Sequence, residues 1–393
     1  MLNFLKRTKK QEYKNKTSYR DFVHKINFGN HIGMNNDYNS LSNEGYKNNV
    51  IVFRSVNMVA SSVASINMYL YTTIDGTRIR NKDHYLNGLL RKPNQTMSFV
   101  NFLSIATHYY LISGNVYIFT IRNKNGTPVE LHILRPDRVK ISYDNERDLF
   151  YYEYTVDGSI IKIIVDKKKP NQDILHIKTF NPLNDLYGCS SIEAAKYSIE
   201  QHNQANEWNT SMLRNAGRPS GALVHSSGNI SDEQYIRLKE QINEYYTGAS
   251  NAGRPILLEG GLDWREMSLS PKDMDYIECK NSAARDIALA IGVPPQLLGI
   301  PGDNHYANLV ETRIALWEQT VLPIFETIMS NLNNWLNPYI GKEHNLGYNR
   351  DEIEVLKLKR DNLWKYVQDA TFMTINEKRE MFALQPIEGG NKI

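Results

Sequence analysis

Cysteine is scarce in this chain. Cys189 and Cys279 are the only two in 393 residues. That is too few for a disulfide framework, so a reducing interior is the expected setting. Long apolar runs are lacking as well, and none approaches the ~18 residues that a bilayer-spanning helix requires. Nor does one sign of charge prevail: 46 Lys and Arg face 43 Asp and Glu, for a net charge of +3. A dedicated double-stranded DNA clamp shows a basic stripe and a pI above about 9. Phosphate clamping along the whole chain is therefore not indicated.

The motifs of common chemistries are missing too. No G-x-x-x-x-G-K-[ST] occurs, and the pair Gly341-Lys342 is followed by Glu343, so a P-loop ATPase is excluded. There is no C-x-x-C and no H-E-x-x-H, and the ten histidines are scattered, which argues against a structural metal site. Gly248-Ala249-Ser250-Asn251-Ala252 comes near the hydrolase nucleophile elbow. That elbow needs a strand before it and a helix after it, and here the order is reversed. Asp273, Asp275 and Glu278 could suggest a carboxylate cluster, but two of them stand at helix N-terminal positions, where the dipole favours acids. No catalytic residue, metal or cofactor is expected.

What is present begins with a polar arm. Met1-Leu2-Asn3-Phe4-Leu5 runs straight into Lys6, Arg7, Lys9 and Lys10. That order is the reverse of a secretory signal, so the protein is expected to be soluble and intracellular when made. Residues 1–45 are rich in Asn, Lys and Ser and read as a flexible or loosely docked arm. The basic cluster Lys6 to Lys25 reads first as a solvated tail, with nucleic-acid contact as the alternative. The remaining length suffices for two or three domains with cores.

Helix signals follow. Phe53, Val56, Ala60 and Val63 recur at three- and four-residue spacing, which predicts a helix over Val50 to Val63. Met68 to Tyr71 reads as a strand, and a short helix ends near Pro93. Ser98 is a candidate cap for a helix from Phe99 to Leu111. From Asn115 to Phe180 the pattern turns to strands, read as an antiparallel meander. Asn125-Gly126 and Asp157-Gly158 are hairpin signals within it. The fold class is therefore α+β.

Ser190 or Ser191 then caps a helix of about 25 residues ending at Asn215, about 37 Å long. Its apolar positions are sparse, while Gln201, His202, Asn203, Gln204, Asn206, Asn209 and Thr210 crowd the rest. A helix so polar has faces that meet water or neighbouring subunits. Past the breaker Gly217 to Gly221, a small unit of about 217–271 carries a strand at Ala222 to His225. Ser231 and Gln234 form a capping box there, with Ile230 and Tyr235 as a staple. Strands are expected at Ile256 to Leu258 and Trp264 to Leu269. Helices are also expected at Leu356 to Val367 and after Thr374, which is in capping-box register with Glu377.

The segment from Ile277 to Leu336 is the most distinctive. A helix to Ile291 stops at Gly292, and Pro294 and Pro295 cannot continue it. A long loop precedes a second helix, which runs to Leu336 and is expected to kink near Gln319 to Leu322 because of Pro323. The series Ile287, Ala288, Ile291, Gly292, Val293, Pro294, Pro295, Leu297, Leu298 and Gly299, followed by Tyr306, Asn308 and Glu311, resembles the tunnel-loop region of tailed-bacteriophage portal proteins of the HK97-like family. Gly114, Asn115, Tyr117, Leu131, Leu134, Pro136 and Val139 resemble its wing, and Thr374 to Asn391 its C-terminus. The resemblance covers roughly residues 45 to 390, in order.

The resemblance implies a portal-type subunit. Residues 1–45 form the arm, 46–189 the wing, 190–216 and 272–291 the two stem helices, and 217–271 the clip. Residues 292–310 form the tunnel loop, 311–337 the kinked helix and 338–393 the crown, which is small because the sequence given ends soon after Gly390. It implies a homo-oligomeric ring, typically of twelve subunits, at one capsid vertex of a virion. Double-stranded DNA passes through it in packaging and ejection. Terminase, head–tail adaptors and the major capsid or scaffold protein are the implied partners, with no membrane. Pro301, Gly302, Asp303, Asn304, His305 and Tyr306 are the implied tunnel-loop residues facing DNA. Gln201, Asn203, Gln204 and Asn206 are the implied channel-side residues of the stem. A near-neutral wall suits passage, since tight phosphate binding stalls movement. The reading from another class is a non-catalytic nucleic-acid-binding protein that uses the basic arm.

Overall fold

The computed structural model describes residues 38–74, 77–144, 149–166, 172–214, 221–225, 231–245, 262–266, 275–301, 309–341, 343–382 and 384–392. A π-helical turn, Leu41–Lys47, leads into helix α1, Val50–Ala64. Asn49 caps α1, its Oδ1 accepting from Ile51 N at 3.0 Å and Val52 N at 3.1 Å. The buried stripe of α1 is Val52, Val56, Val59, Ala60 and Val63. Phe53, expected on that stripe, lies one position off it and packs in the open against the Tyr46 ring.

Strands β1, Met68–Ile74, and β2, Thr77–Arg80, form a hairpin. Helix α2, Leu86–Arg91, precedes α3, Phe99–Ser113, whose first turn is capped by the Ser98 hydroxyl as the sequence predicts. Six strands follow: β3, Asn115–Arg122; β4, Pro128–Leu134; β5, Val139–Asp144; β6, Leu149–Val156; β7, Ser159–Val165; and β8, Ile174–Lys178. They do not make one meander. The orders are β4-β3-β8 and β5-β6-β7. A 3-10 turn at Pro136–Arg138 redirects the chain after β4, so β5 to β7 build their own sheet. Strand β8 then returns to the free edge of β3, with Asn115 opposite Lys178 and Phe119 opposite Ile174. The β6–β7 turn has Asp157 at φ 48° and Gly158 at φ 79°. Two successive positive φ values make the type I′ turn that an Asp-Gly pair encodes.

The long helix expected from Ser190 or Ser191 is interrupted. Ser190 caps a single turn, Ser191–Ala194, the backbone departs from α geometry at Ala195, and helix α4 runs Lys196–Arg214. Ser190 also donates to Leu111 O at 3.0 Å, which ties this turn to α3. Asn215 lies outside the described residues. Strand β9, Gly221–His225, pairs antiparallel with β10, Leu262–Glu266. β10 begins two residues before the expected Trp264, because pairing with β9 fixes its register. Between them α5, Asp232–Tyr245, starts at the predicted box: Ser231 N donates to Gln234 Oε1 and Gln234 N to Ser231 Oγ, each at 3.3 Å. Ile230, the Ile256 to Leu258 strand and Ser250 lie outside the described residues.

Helix α6, Tyr276–Ile291, returns. Helix α7, Leu309–Leu316, a π turn, Trp317–Val321, and α8, Leu322–Ile340, form the long helical run. The π turn falls at the segment where Pro323 predicts a disturbance. Pro323 follows the π turn by two residues inside the continuous run, so the widened turn lies where the proline ring and its missing N–H disrupt the α pattern. The sequence ends this helix at Leu336, yet α8 continues through Pro338. That proline falls in the last turn, and Gly341 N still closes onto Asn337 O at 3.3 Å.

Strand β11, His344–Tyr348, is not legible in the sequence. It pairs with β1 from Met68↔Tyr348 to Thr72↔His344. The range read as crown therefore holds, after the last residues of α8, a strand of the same sheet as β1. Helices α9, Glu354–Asp369, and α10, Ile375–Glu380, follow, and Thr374 and Glu377 form the predicted capping box. One core joins α1, α3, α6 and α8, with Val56, Phe102, Ile287 and Phe325 fully buried in it. A second cluster, around Tyr117, Leu134 and Ile163, joins the β4-β3-β8 and β5-β6-β7 sheets.

Candidate functional site

Helices α4 and α6 lie antiparallel. Ser198 meets Asp286 at 3.5 Å, Gln201 reaches Cys279, and the Trp208 and Tyr276 rings are 5.0 Å apart. The pair is half embedded. Ile199 and His202 of α4, and Ala283 to Ile291 of α6 on one side, are buried against the core. Beyond those residues, polar and apolar side chains alike face outward.

The end of α6 is built as a rigid pedestal. Gly292 is left-handed at φ 83°. Gly292 N donates to Leu289 O at 3.0 Å and Val293 N to Ala288 O at 2.9 Å, which is the Schellman pairing. Val293 is buried immediately after it. Thr320, on the π turn, donates from Oγ1 to Gly292 O at 2.6 Å. A Cβ on Gly292 would stand 2.6 Å from that same hydroxyl. A 3-10 turn, Pro295–Leu298, follows and ends at Gly299. Ile300 is buried, and Arg285 Nη2 donates to Pro301 O at 2.7 Å. The pedestal thus delivers the chain from Pro301 at a defined point beside α6.

Of the six expected tunnel-loop residues, only Pro301 is described, and it is exposed. Gly302, Asp303, Asn304, His305 and Tyr306 lie outside the described residues. The four polar residues of α4 divide into two pairs. Gln201 and Gln204 are exposed, and Gln204 Nε2 donates to Glu200 Oε1 at 3.2 Å. Asn203 and Asn206 turn inward instead. Asn203 Oδ1 accepts from Asn49 Nδ2 at 2.9 Å, and its Nδ2 donates to Glu44 O at 2.9 Å. Asn206 Nδ2 and Asn49 Nδ2 each lie 3.2 Å from His202 Nδ1. Amide nitrogens only donate, so Nδ1 is the acceptor and the His202 ring is neutral. Burial, helped by the Lys280 ammonium, pushes its pKa down in agreement.

Sequence reasoning misses this hook. Asn49 is 1% exposed and fully used: its oxygen caps α1 and its nitrogen holds α4. A helix-start asparagine is visible in the sequence, but its partners lie more than 150 positions away. Thr320 and Arg285 carry no local signal at all. Among the described residues, no three His, Cys, Asp or Glu side chains are placed to hold a metal ion. No described helix is long and apolar enough to cross a membrane.

A family model described as phage portal protein matches residues 50–382. The probable portal protein of Streptomyces phage phiC31 is 26% identical over 349 residues, which cover 86% of this chain and 75% of that one. The portal protein of Enterobacteria phage HK97 is 23% identical over 359 residues, covering 86% and 80%. Among solved structures, a chain in the neck of an empty gene transfer agent particle, computed with C6 symmetry, is 38% identical. It superposes with a TM-score of 0.69 over 89% of this chain and 94% of its own length. The family model spans most of the chain and these likenesses run along nearly all of it, so this chain belongs to the phage portal protein family.

Proposed function

We propose that this chain assembles into a closed ring that forms the DNA channel at one vertex of a phage-like capsid. The observation that carries this reading is the match along 89% of the chain to a subunit of a particle neck at 38% identity. The α4–α6 pair supports it physically. Tyr197, Ile277 and Leu289 are 85%, 72% and 76% exposed on these two helices. Large apolar side chains left in water on adjoining helices are the surface expected to meet a neighbouring subunit. A ring of twelve suits the C12 symmetry computed for the neck of a native gene transfer agent particle.

In this reading Gln201 and Gln204, with the chain emerging at Pro301, face the channel, and residues 302–306 continue toward the DNA. Asn203 and Asn206 hold the stem helix to the wing. The unit carrying β9, α5 and β10 is the docking surface for the terminase and later for head–tail adaptors. The capsid or scaffold protein surrounds the wing. No reaction is assigned to the chain, and no cofactor is needed. Negative-stain microscopy with mass photometry of the purified protein tests the reading. Rings of about a dozen subunits with a central hole are expected. Monomers alone at micromolar concentration, with and without scaffold protein, count against it.

A further inference from the structure

A groove of about 510 Å³ opens between the π-helical turn Leu41–Lys47 and helix α4. Its floor is apolar, with Leu41 and Gly45 from the turn and Ile192 and Ile199 from the opposite wall. All four are buried. Its rim is acidic. Glu44, Glu200 and Glu207 border the opening and are exposed, against Lys196 as the basic residue among the lining side chains. Asn203, Gln204 and Asn206 line it as well, so the groove adjoins the α4 contacts described above. Glu200 and Glu207 sit on α4 a little under two turns apart, so they line one edge of the groove in series.

We propose that this groove is the docking site for the chain's own N-terminal arm, residues 1–37. Two observations select that occupant. The arm joins the described structure at Tyr38, and Ser40 and Leu41, two and three residues on, already line the groove. The arm therefore starts at the groove's edge, and loop closure over so short a path costs little. Charge and apolarity also match. The first 25 residues hold eight Lys or Arg against Glu12 and Asp21, and Leu2, Phe4 and Leu5 stand directly before the first basic cluster. Apolar side chains fill the floor while ammonium and guanidinium groups meet the rim, with the long Lys and Arg stems covering apolar surface on the way. The arm's basic charge is thus answered within the subunit and need not be a nucleic-acid contact.

The test uses the full-length chain. A carbodiimide couples Lys ammonium groups to carboxylates in contact, and mass spectrometry locates the links. Links from Lys6, Lys9, Lys10, Lys14 or Lys16 to Glu200 or Glu207 are expected. Tryptic cleavage within residues 1–25 is followed alongside. In Glu200→Gln/Glu207→Gln the initial cleavage rate is expected to rise about five- to tenfold, since exposed pairs hold the closed form only modestly. High salt should give the same rise in the unaltered chain. The control Glu354→Gln/Asp361→Gln, away from the groove, should change nothing. Absence of the links, or a cleavage rate indifferent to both the double substitution and salt, overturns the docking. Mixing isotopically light and heavy protein separates the sources of the arm. Links confined to one label place the arm on its own subunit, and mixed-label links overturn that assignment. None of these readouts depends on ring formation, so a failed ring experiment leaves them intact.

Discussion

Asn49 offers a sharp test of how helix α4 is held to the start of α1. Replacing it with Ala removes the α1 cap, which costs typically about 1 kcal/mol. It also strips Asn203 Oδ1 of its donor and His202 Nδ1 of one of two donors, in a site where Asn49 is 1% exposed. A buried acceptor left without a partner costs about 1–3 kcal/mol, so Asn49→Ala should lose about 2–4 kcal/mol in all. Asn49→Asp keeps the cap, because a carboxylate still accepts from Ile51 N and Val52 N, but it presents no donor to α4. The two variants therefore separate cap from hook.

The pH dependence separates them further. In the unaltered chain the folded His202 pKa lies below its ordinary 6.5. The unfolded chain then binds the extra proton, so this contribution is complete above about pH 6.5 and shrinks as the pH falls. In Asn49→Asp a carboxylate faces Nδ1, and the folded pKa should rise above 6.5 instead. The sign reverses: the introduced carboxylate and the His202 imidazolium stabilise the fold below pH 6.5, and that gain is lost as the pH climbs through the raised value. Each such histidine changes stability by at most about 1.4 kcal/mol per pH unit. Burial also lowers the pKa of His108 and His176, which tilts the baseline equally in both proteins, so the difference between variant and parent is the readout. Urea unfolding at pH 8 and pH 5.5, at matched protomer concentration, measures it. A loss under about 0.5 kcal/mol for Asn49→Ala, or parallel pH profiles for parent and Asn49→Asp, would refute the hook.

Other expectations concern the pedestal and the turns. Gly292→Ala should cost about 2–4 kcal/mol, from a left-handed alanine and a collision with the Thr320 hydroxyl. Thr320→Val should cost about 1–3 kcal/mol by leaving Gly292 O unpaired, and the double variant should be markedly non-additive in urea melts. Gly158→Ala should lose about 1 kcal/mol, while Asp157→Asn should be neutral or better, because Asn-Gly suits the same I′ turn; thermal unfolding compares them. Thr374→Ala should release about 1 kcal/mol of local protection in α10, seen as faster amide exchange over 375–380 with the core unchanged.

The parts of this fold that are legible in sequence are those whose causes are local. Asp157-Gly158, Ser98, the Ser231–Gln234 and Thr374–Glu377 boxes, and the Gly292 stop each act within a few residues, and each is found in place. The portal resemblance rests on several such local series in order, the one around Gly292 the most distinctive. What is not legible depends on distant partners. The strip His344–Tyr348, with its glycine and polar residues, has no alternation to announce a strand, and only the edge of β1 makes it one. The split into two sheets follows from β8 choosing β3 rather than its sequence neighbour. The π turn places Thr320 on a carbonyl 28 residues earlier. The asparagines and glutamines of α4 look alike in sequence, and only the fold sends Asn203 and Asn206 inward while Gln201 and Gln204 stay out.

The pairing of β1 with β11 also orders events in time. Strand β1 is among the first segments to leave the ribosome, and its partner follows after nearly all the rest of the described chain. Until β11 arrives, one edge of β1 stays unsatisfied, and Leu346 is missing from the core that α8 completes. Closing so distant a contact is slow and comes late in folding. A polypeptide that stops before β11 therefore leaves open the edge of β1 that β11 otherwise covers. The last strand thus makes completion of this sheet, and of the core beneath it, depend on a segment about 270 residues further along the chain.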